Sequence, residues 1–339
     1  MERFGMSGRR ECLRLLGGSA AALSLPGFSI SSAAETSRKK LAGVFPIGFS
    51  PFTEQDKLDL DGLAAQVRFC NRGGVHGFVW PQLASGWSTL SEKERMDGAE
   101  AILSAGKGGR SALVIGVQAA DMAAITRYVR QAEKFGADAI ISLPPSGVSD
   151  EKALLDFYRQ VGGLSDLPLF AQATGSMSVD LLIDMFHAIP TFRYVKDEAG
   201  EPLKRIADLR RRTDDQLKVF SGMGVQTMVN EMELGFSGHC PYTNLADVYA
   251  AAYDLWHEGR KREAFDMFGR IQAIGTMMTT NTMDILIARG VLKPGARSRT
   301  SPASGGAPSA AAGKRAAPKL SFEEIRGALK TYLGPYLKG

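Results

Sequence analysis

The feature that most limits the fold of this chain is a count. From residue 42 onward, short β-rich runs alternate with helical patterns eight times over. The runs are GVFPIGFSPF (43–52), HGFVWPQLA (76–84), SALVIGVQA (111–119), AIISLPP (139–145), PLFAQAT (168–174), FRYVK (192–196), KVFSG (218–222) and GFSGHCPY (235–242). Amphipathic stretches lie between them, such as DLDGLAAQVRFCNRGG (59–74) and MAAITRYVRQAEKFGA (122–137). Near-continuous apolar runs separated by helix-length segments predict parallel strands covered by helices on the outer face. Eight such βα units in roughly 200 residues make the α/β class a closed (β/α)8 TIM barrel, here over 42–245. An open doubly wound sheet would carry a G-x-G-x-x-G turn after its first strand, and SPFTEQD has nothing of that kind.

The two ends read differently from the barrel. ADVYAAAYDLWHEGRKREAFDMFGRIQAI (246–274) predicts one or two helices, and SFEEIRGALKTYLGPYL (321–337) predicts a last one. Ser321 with Glu324 three residues on is a capping signal. The stripe Ile325, Leu329, Leu333 should dock this helix on the barrel, completing a C-terminal helical extension over 246–339. Between the helices, 294–318 is rich in Pro, Gly, Ser and Ala without periodicity, the composition of a mobile loop.

At the other end, SGRRECLRLL (7–16) precedes a small apolar stretch and then SSAAE. An arginine pair (Arg9, Arg10), a modest apolar region and a small-residue site before Glu35 predict a twin-arginine export signal over 1–34. Its apolar region is too short for a permanent anchor, and no other stretch has the roughly 18 apolar residues of a membrane helix. The expected protein is exported, periplasmic and soluble, delivered by the twin-arginine translocation machinery. Four Arg and two Glu leave with the signal, so the net charge falls from +5 to +3. Six basic residues in 293–319, a segment without an acid, more than account for that remainder. The body of the chain therefore offers no basic surface for nucleic acid.

In a barrel of this kind chemistry sits at the C-terminal ends of the strands. Lys196 closes the sixth run there, and alternation places it on the same face as Tyr194. If that face points inward, the amine is held in a low-dielectric cavity, where burial disfavours an ammonium. A neutral, positioned amine attacks a ketone or aldehyde to form a Schiff base. If it points outward, Lys196 merely starts a solvated loop and pairs with Asp197 or Glu198. Spacing alone leaves both open.

Further residues carry a resemblance. Ser50-Pro51-Phe52 with Leu58-Asp59-Leu60-Asp61, STLSEKER (88–95), YVKDEAG (194–200), FSG (220–222) and GFSG (235–238) occur in this order. From Gly43 to about Val291 the chain resembles the dihydrodipicolinate synthase / N-acetylneuraminate lyase family of class I aldolase-like barrels. The resemblance implies that Lys196 forms the Schiff base with a 2-oxo acid of the pyruvate type, with no other cofactor. It also implies C–C bond formation or cleavage, a small oxo acid or aldehyde as partner, and a homo-oligomer, dimer or tetramer.

Departures from the family pattern fall at its polar groups. Its G-T/S-T-G-E loop after strand two becomes Gln82, Leu83, Ala84, Ser85 and Gly86, with Ser85 the nearby hydroxyl. Its Y-N-x-P after strand five, whose tyrosine shuttles protons, becomes Gln172, Ala173, Thr174 and Gly175. Glutamine exchanges hydrogen bonds but does not titrate. The arginine of dihydrodipicolinate synthases has no counterpart in GSMS (175–178), and both losses argue against lysine biosynthesis proper. Tyr194, Asp197 or Glu198 would then take over proton transfer.

The expected site is Lys196 with Gln172 as catalytic pair, and Ala84, Ser85, Cys240, Gly222 and His239 against substrate. Cys240 enters through the resemblance, by its backbone. Gly222 and His239 enter because they close strands seven and eight. The four histidines show no metal-ligand spacing, and neither do the cysteines, so no metal is expected. Trp80 and Trp87 bracket the second-strand loop and read as core and rim packing, or as walls of an enlarged apolar pocket. A barrel that binds or senses a carbonyl compound without turning it over is the alternative to a lyase.

Overall fold

The structure, a computed structural model, describes residues 39–175, 177–222, 225–277, 282–299 and 320–338. The export signal expected over 1–34 and most of the loop expected over 294–318 lie outside the described residues.

Eight strands, β1 (Gly43–Val44), β2 (Gly77–Trp80), β3 (Ala112–Gly116), β4 (Ala139–Ser142), β5 (Leu169–Ala173), β6 (Phe192–Asp197), β7 (Lys218–Ser221) and β8 (Gly238–His239), form one parallel sheet. Its order, β1-β8-β7-β6-β5-β4-β3-β2, follows the chain around a ring. Ile47 closes that ring by bridging to Tyr242 on one side and Val79 on the other. The TIM barrel read from the sequence is therefore present. Its first and last ladders are shorter than the apolar runs that announced them. There the backbone hands over to single bridges and to bonds such as Gly48 N–H to the Val79 carbonyl.

The outer helices are α1 (Leu60–Gly73), α2 (Glu92–Ala105), α3 (Met122–Lys134), α4 (Glu151–Gly162), α5 (Val179–Ala188), α6 (Pro202–Arg212) and α7 (Met228–Leu234). Side chains of Asp59, Ser91, Asp121, Asp150 and Ser178 accept from the third backbone N–H of α1 to α5. Each cap contributes about 1 kcal/mol and fixes where a strand's return helix begins.

Two apolar layers result. The larger lies between sheet and helices, with Trp80, Phe69, Phe192 and Tyr158 fully covered. The smaller fills the barrel interior with Phe45, Val114, Ile141, Phe170 and Phe220. Phe45 and Phe170 each meet Phe220 edge-on at 5.2 Å. Gly238 makes room for them, because a Cβ there would lie 2.2 Å from the Phe220 ring. The plug fills the middle of the barrel with apolar side chains beneath the C-terminal mouth.

The C-terminal extension contains α8 (Ala246–His257), α9 (Lys261–Met277), α10 (Thr282–Ala288) and α11 (Phe322–Leu333). Ser321 and Glu324 form the expected capping box, and Ile325, Leu329 and Leu333 are buried against α9 and α10. Residue Arg297 pairs antiparallel with Phe52, while Arg299 lies over the Phe52 ring and bonds Glu94. No helix among the described residues is long and apolar enough to cross a membrane.

Candidate active site

Strand β6 sends Tyr194 and Lys196 into the barrel and Val195 and Asp197 toward the helices. Tyr194 stacks on Phe170 at 4.5 Å inside the barrel, and Val195 belongs to the outer layer. The Asp197 carboxylate accepts from the Ala199 N–H and pairs with Arg205 of α6 at 3.4 Å. Lys196, 4% exposed, is thus an inward amine above the aromatic plug.

One residue past the strand, the Glu198 N–H still donates to the Ala173 carbonyl at 2.9 Å. That bond continues the β5–β6 pairing and keeps the alternation, so Glu198 turns inward like Lys196. Its Oε1 lies 3.2 Å from Lys196 Nζ, with side-chain exposures of 18% and 5%. Its Oε2 accepts from Gln172 Nε2. Gln172 is the register partner of Lys196 on β5, and its own Oε1 is buried without a partner. A buried acceptor left open toward a cavity invites a hydroxyl or water.

Gly222, just after β7, is required by this pair. A Cβ at that position would lie 2.1 Å from Glu198 Oε1 and 2.4 Å from Lys196 Cε. Together these residues wall a cavity of about 250 Å³, with Ile47, Leu83, Ala84, Cys240, Pro241 and Tyr242 on the other sides. Burial first of all pushes the Cys240 thiol up to about 12, with Glu198 and Glu231 adding to it against Lys196. It is therefore a neutral wall and not a nucleophile at neutral pH.

Of the expected residues, the structure gathers Lys196, Gln172, Ala84, Gly222 and Cys240 at one cavity. Two expectations need correction. The Ser85 hydroxyl donates to the Gly48 carbonyl at 2.6 Å and accepts from the Gln82 N–H at 3.0 Å. It holds the 3-10 turn Leu83–Ser85 and is not on the cavity wall. His239 is fully buried behind the barrel wall, where its Nδ1 meets Glu231 of α7 at 2.7 Å. Strand alternation turns it outward although it stands at the strand end. Met223 and Gly224 of the seventh-strand end lie outside the described residues. Trp80 is core, its indole N–H on Ser50 Oγ at 3.0 Å.

A lysine amine can form an imine, a carboxylate beside it can move protons, and the open amide oxygen can accept a hydrogen bond. Among the described residues no group of three or more His, Cys, Asp or Glu is placed to hold a metal ion.

Comparisons with known proteins bear on the family and the fold. A 4-hydroxy-tetrahydrodipicolinate synthase from Methanosarcina mazei is 25% identical over 186 residues, 53% of this chain and 62% of that enzyme. The chain thus spans less than two thirds of that relative. An N-acetylneuraminate lyase from Rhizobium meliloti is 24% identical over 265 residues, 76% of this chain and 84% of the lyase. Among solved structures, dihydrodipicolinate synthase from Rhodopseudomonas palustris superposes with a TM-score of 0.71 at 20% identity, covering 85% of this chain and 97% of that one. A catalytic lysine mutant of the Ruminococcus gnavus sialic acid aldolase does so with 0.73 at 15%, covering 88% and 100%. The sequence profile of the dihydrodipicolinate synthetase family matches residues 40–304. The chain belongs to the dihydrodipicolinate synthetase family.

Proposed function

We propose that this protein is a class I aldolase-type lyase that forms a Schiff base between Lys196 and a 2-oxo acid. The observation that carries the reading is the buried Lys196 amine, 3.2 Å from Glu198 at the mouth of a plugged barrel. The Ruminococcus gnavus aldolase, of the same fold, has a catalytic lysine.

Glu198 supplies what glutamine at 172 does not. As carboxylate it takes the proton that Lys196 must lose before attacking the ketone carbon. It returns that proton to the carbinolamine hydroxyl, which leaves as water and gives the iminium. It then takes a proton from the adjacent carbon, and the C–H electrons form the enamine. In the synthetic direction the enamine carbon attacks an aldehyde carbon, a C–C bond forms, and Glu198 protonates the new alkoxide. Hydrolysis of the iminium frees Lys196; cleavage is the same sequence reversed. Gln172 holds Glu198 in place through Nε2 and offers Oε1 to the nascent hydroxyl. The substrate carboxylate is placed at Leu83 and Ala84, whose amides open the 3-10 turn and have no partner within it.

A pure binder would not need a titratable group in contact with the amine, so Glu198 favours turnover. The test is borohydride reduction with pyruvate, read by peptide mass spectrometry. The adduct is expected on the Lys196 peptide and absent from Lys196→Ala. An adduct on another lysine, or none with any 2-oxo acid, would sink the reading.

A further inference from the structure

We infer that the group carried beyond the reacting carbons is apolar, of aryl or medium alkyl size, and seats in a second chamber beside the Lys196 cavity. The inference rests on the Schiff-base reading for its chemistry and on separate residues for its geometry.

The Lys196 cavity, at about 250 Å³, lies below the roughly 300–1,000 Å³ of pockets that enclose a whole ligand. It has room for a small 2-oxo acid and little more. Leu83 lines it and also lines a chamber of about 760 Å³ over the ends of β3, β4 and β5. The loop after β2 contributes Trp87 to that chamber, the loop after β4 contributes Leu143, Pro144 and Val148, and Met177 follows β5. Among the described residues that line it, none is charged.

Its polar groups are few, and the largest is already engaged. Gln118 Nε2 donates to the Pro81 carbonyl at 2.9 Å, and its Oε1 accepts from Gln82 at 3.2 Å. The Arg95 guanidinium lies beneath, 5.8 Å from the Trp87 ring and 4.0 Å from that of Tyr128. It donates to the backbone carbonyls of Gly116 and Gln118. Ser146, Ser149 and Thr174 add only single neutral hydroxyls, so a sugar chain or an amino-acid terminus entering here would lose more hydrogen bonds to water than these groups replace. An apolar group covers Leu83 and Val148, exposed by 54% and 37%, and gains their burial.

Binding is tested apart from chemistry with 4-nitrobenzyl alcohol, an unreactive aryl probe whose nitro group quenches tryptophan. The full chain carrying Lys196→Ala should be quenched saturably, and Trp87→Phe should remove most of that signal. Val148→Asp, at an exposed loop position, should weaken the affinity at least about tenfold with its melting temperature little changed. Equal affinity in Val148→Asp, or quenching that survives Trp87→Phe, overturns the chamber assignment. Turnover is then compared with pyruvate and benzaldehyde, hexanal or glyceraldehyde. The aryl and alkyl aldehydes should exceed glyceraldehyde at least about tenfold in kcat/KM, and the reverse order overturns the substrate class. Loss of the pyruvate adduct in the unmodified protein counts against the Schiff-base reading alone, because probe binding in Lys196→Ala does not depend on it.

Discussion

Glu198 and Asp197 are neighbours in the chain and face opposite ways. The sequence showed two acids after Lys196 and could not say which one served it. The deciding bond, Glu198 N–H to the Ala173 carbonyl, is a long-range pairing that no local pattern encodes. Gly222 is the other half of that geometry. Gly222→Ala needs no forbidden backbone angle, yet its methyl would meet both Glu198 Oε1 and Lys196 Cε. Displacing a reacting group by about 1 Å can cost about 100-fold. Gly222→Ala is therefore expected to lower kcat at least that much while its thermal unfolding stays within a few degrees of the parent. A variant with near-parent kcat would mean the pair tolerates the shift. Lys196 itself was legible only with the help of the family resemblance, since alternation with Tyr194 and a place at a strand end left an inward amine and a solvated loop start equally open. His239 was misplaced because a position at a strand end was read as access, and Ser85 because it was the hydroxyl left in the loop aligned with the family's second-strand motif. A hydroxyl's direction and a strand's face decide access instead.

Among the elements, the β7–β8 side shows what outward polar residues do. His239 and Glu231 pin β8 to α7, and Thr227 bonds the same carboxylate. Burial by itself would raise the Glu231 carboxyl, but the hydrogen bonds and charge of His239, with Thr227, hold it below the ordinary value of 4.5. A carboxyl depressed by folding stabilises the protein above its unfolded-state value, and that contribution is lost as pH falls through the folded one. Melting temperatures should therefore drop as pH goes from about 5 toward 3, and Glu231→Gln should show a shallower drop over that window. At pH 7 the variant should be less stable by about 1–3 kcal/mol, the cost of breaking a buried hydrogen bond. Parallel acid profiles for both proteins would contradict this account. The helices were legible through periodicity and caps, whereas the ladders of β1 and β8 were overestimated. An apolar run reports burial, and those runs stay buried after the regular pairing has ended.

For the whole molecule, the count of eight strand runs separated by helical patterns was enough to read the barrel, because each parallel neighbour needs a return helix, and α1 to α7 supply the seven between eight strands. The docked α11 was legible too, from its capping box and its stripe. The aromatic plug was not. Phe45, Phe170 and Phe220 are far apart in sequence, and only closure of the ring brings them together. That plug fills the barrel beneath Lys196 and so confines the proposed carboxylate–amine pair to the cavity at the mouth. The most direct measurement of that claim is exchange of the pyruvate methyl protons in D₂O, followed by proton NMR. The parent protein should exchange them. Lys196→Ala should do no better than buffer, and Glu198→Gln should be slowed at least about 100-fold, with borohydride still trapping pyruvate on Lys196 but more slowly than in the parent. Exchange at the parent rate in either variant would contradict the account.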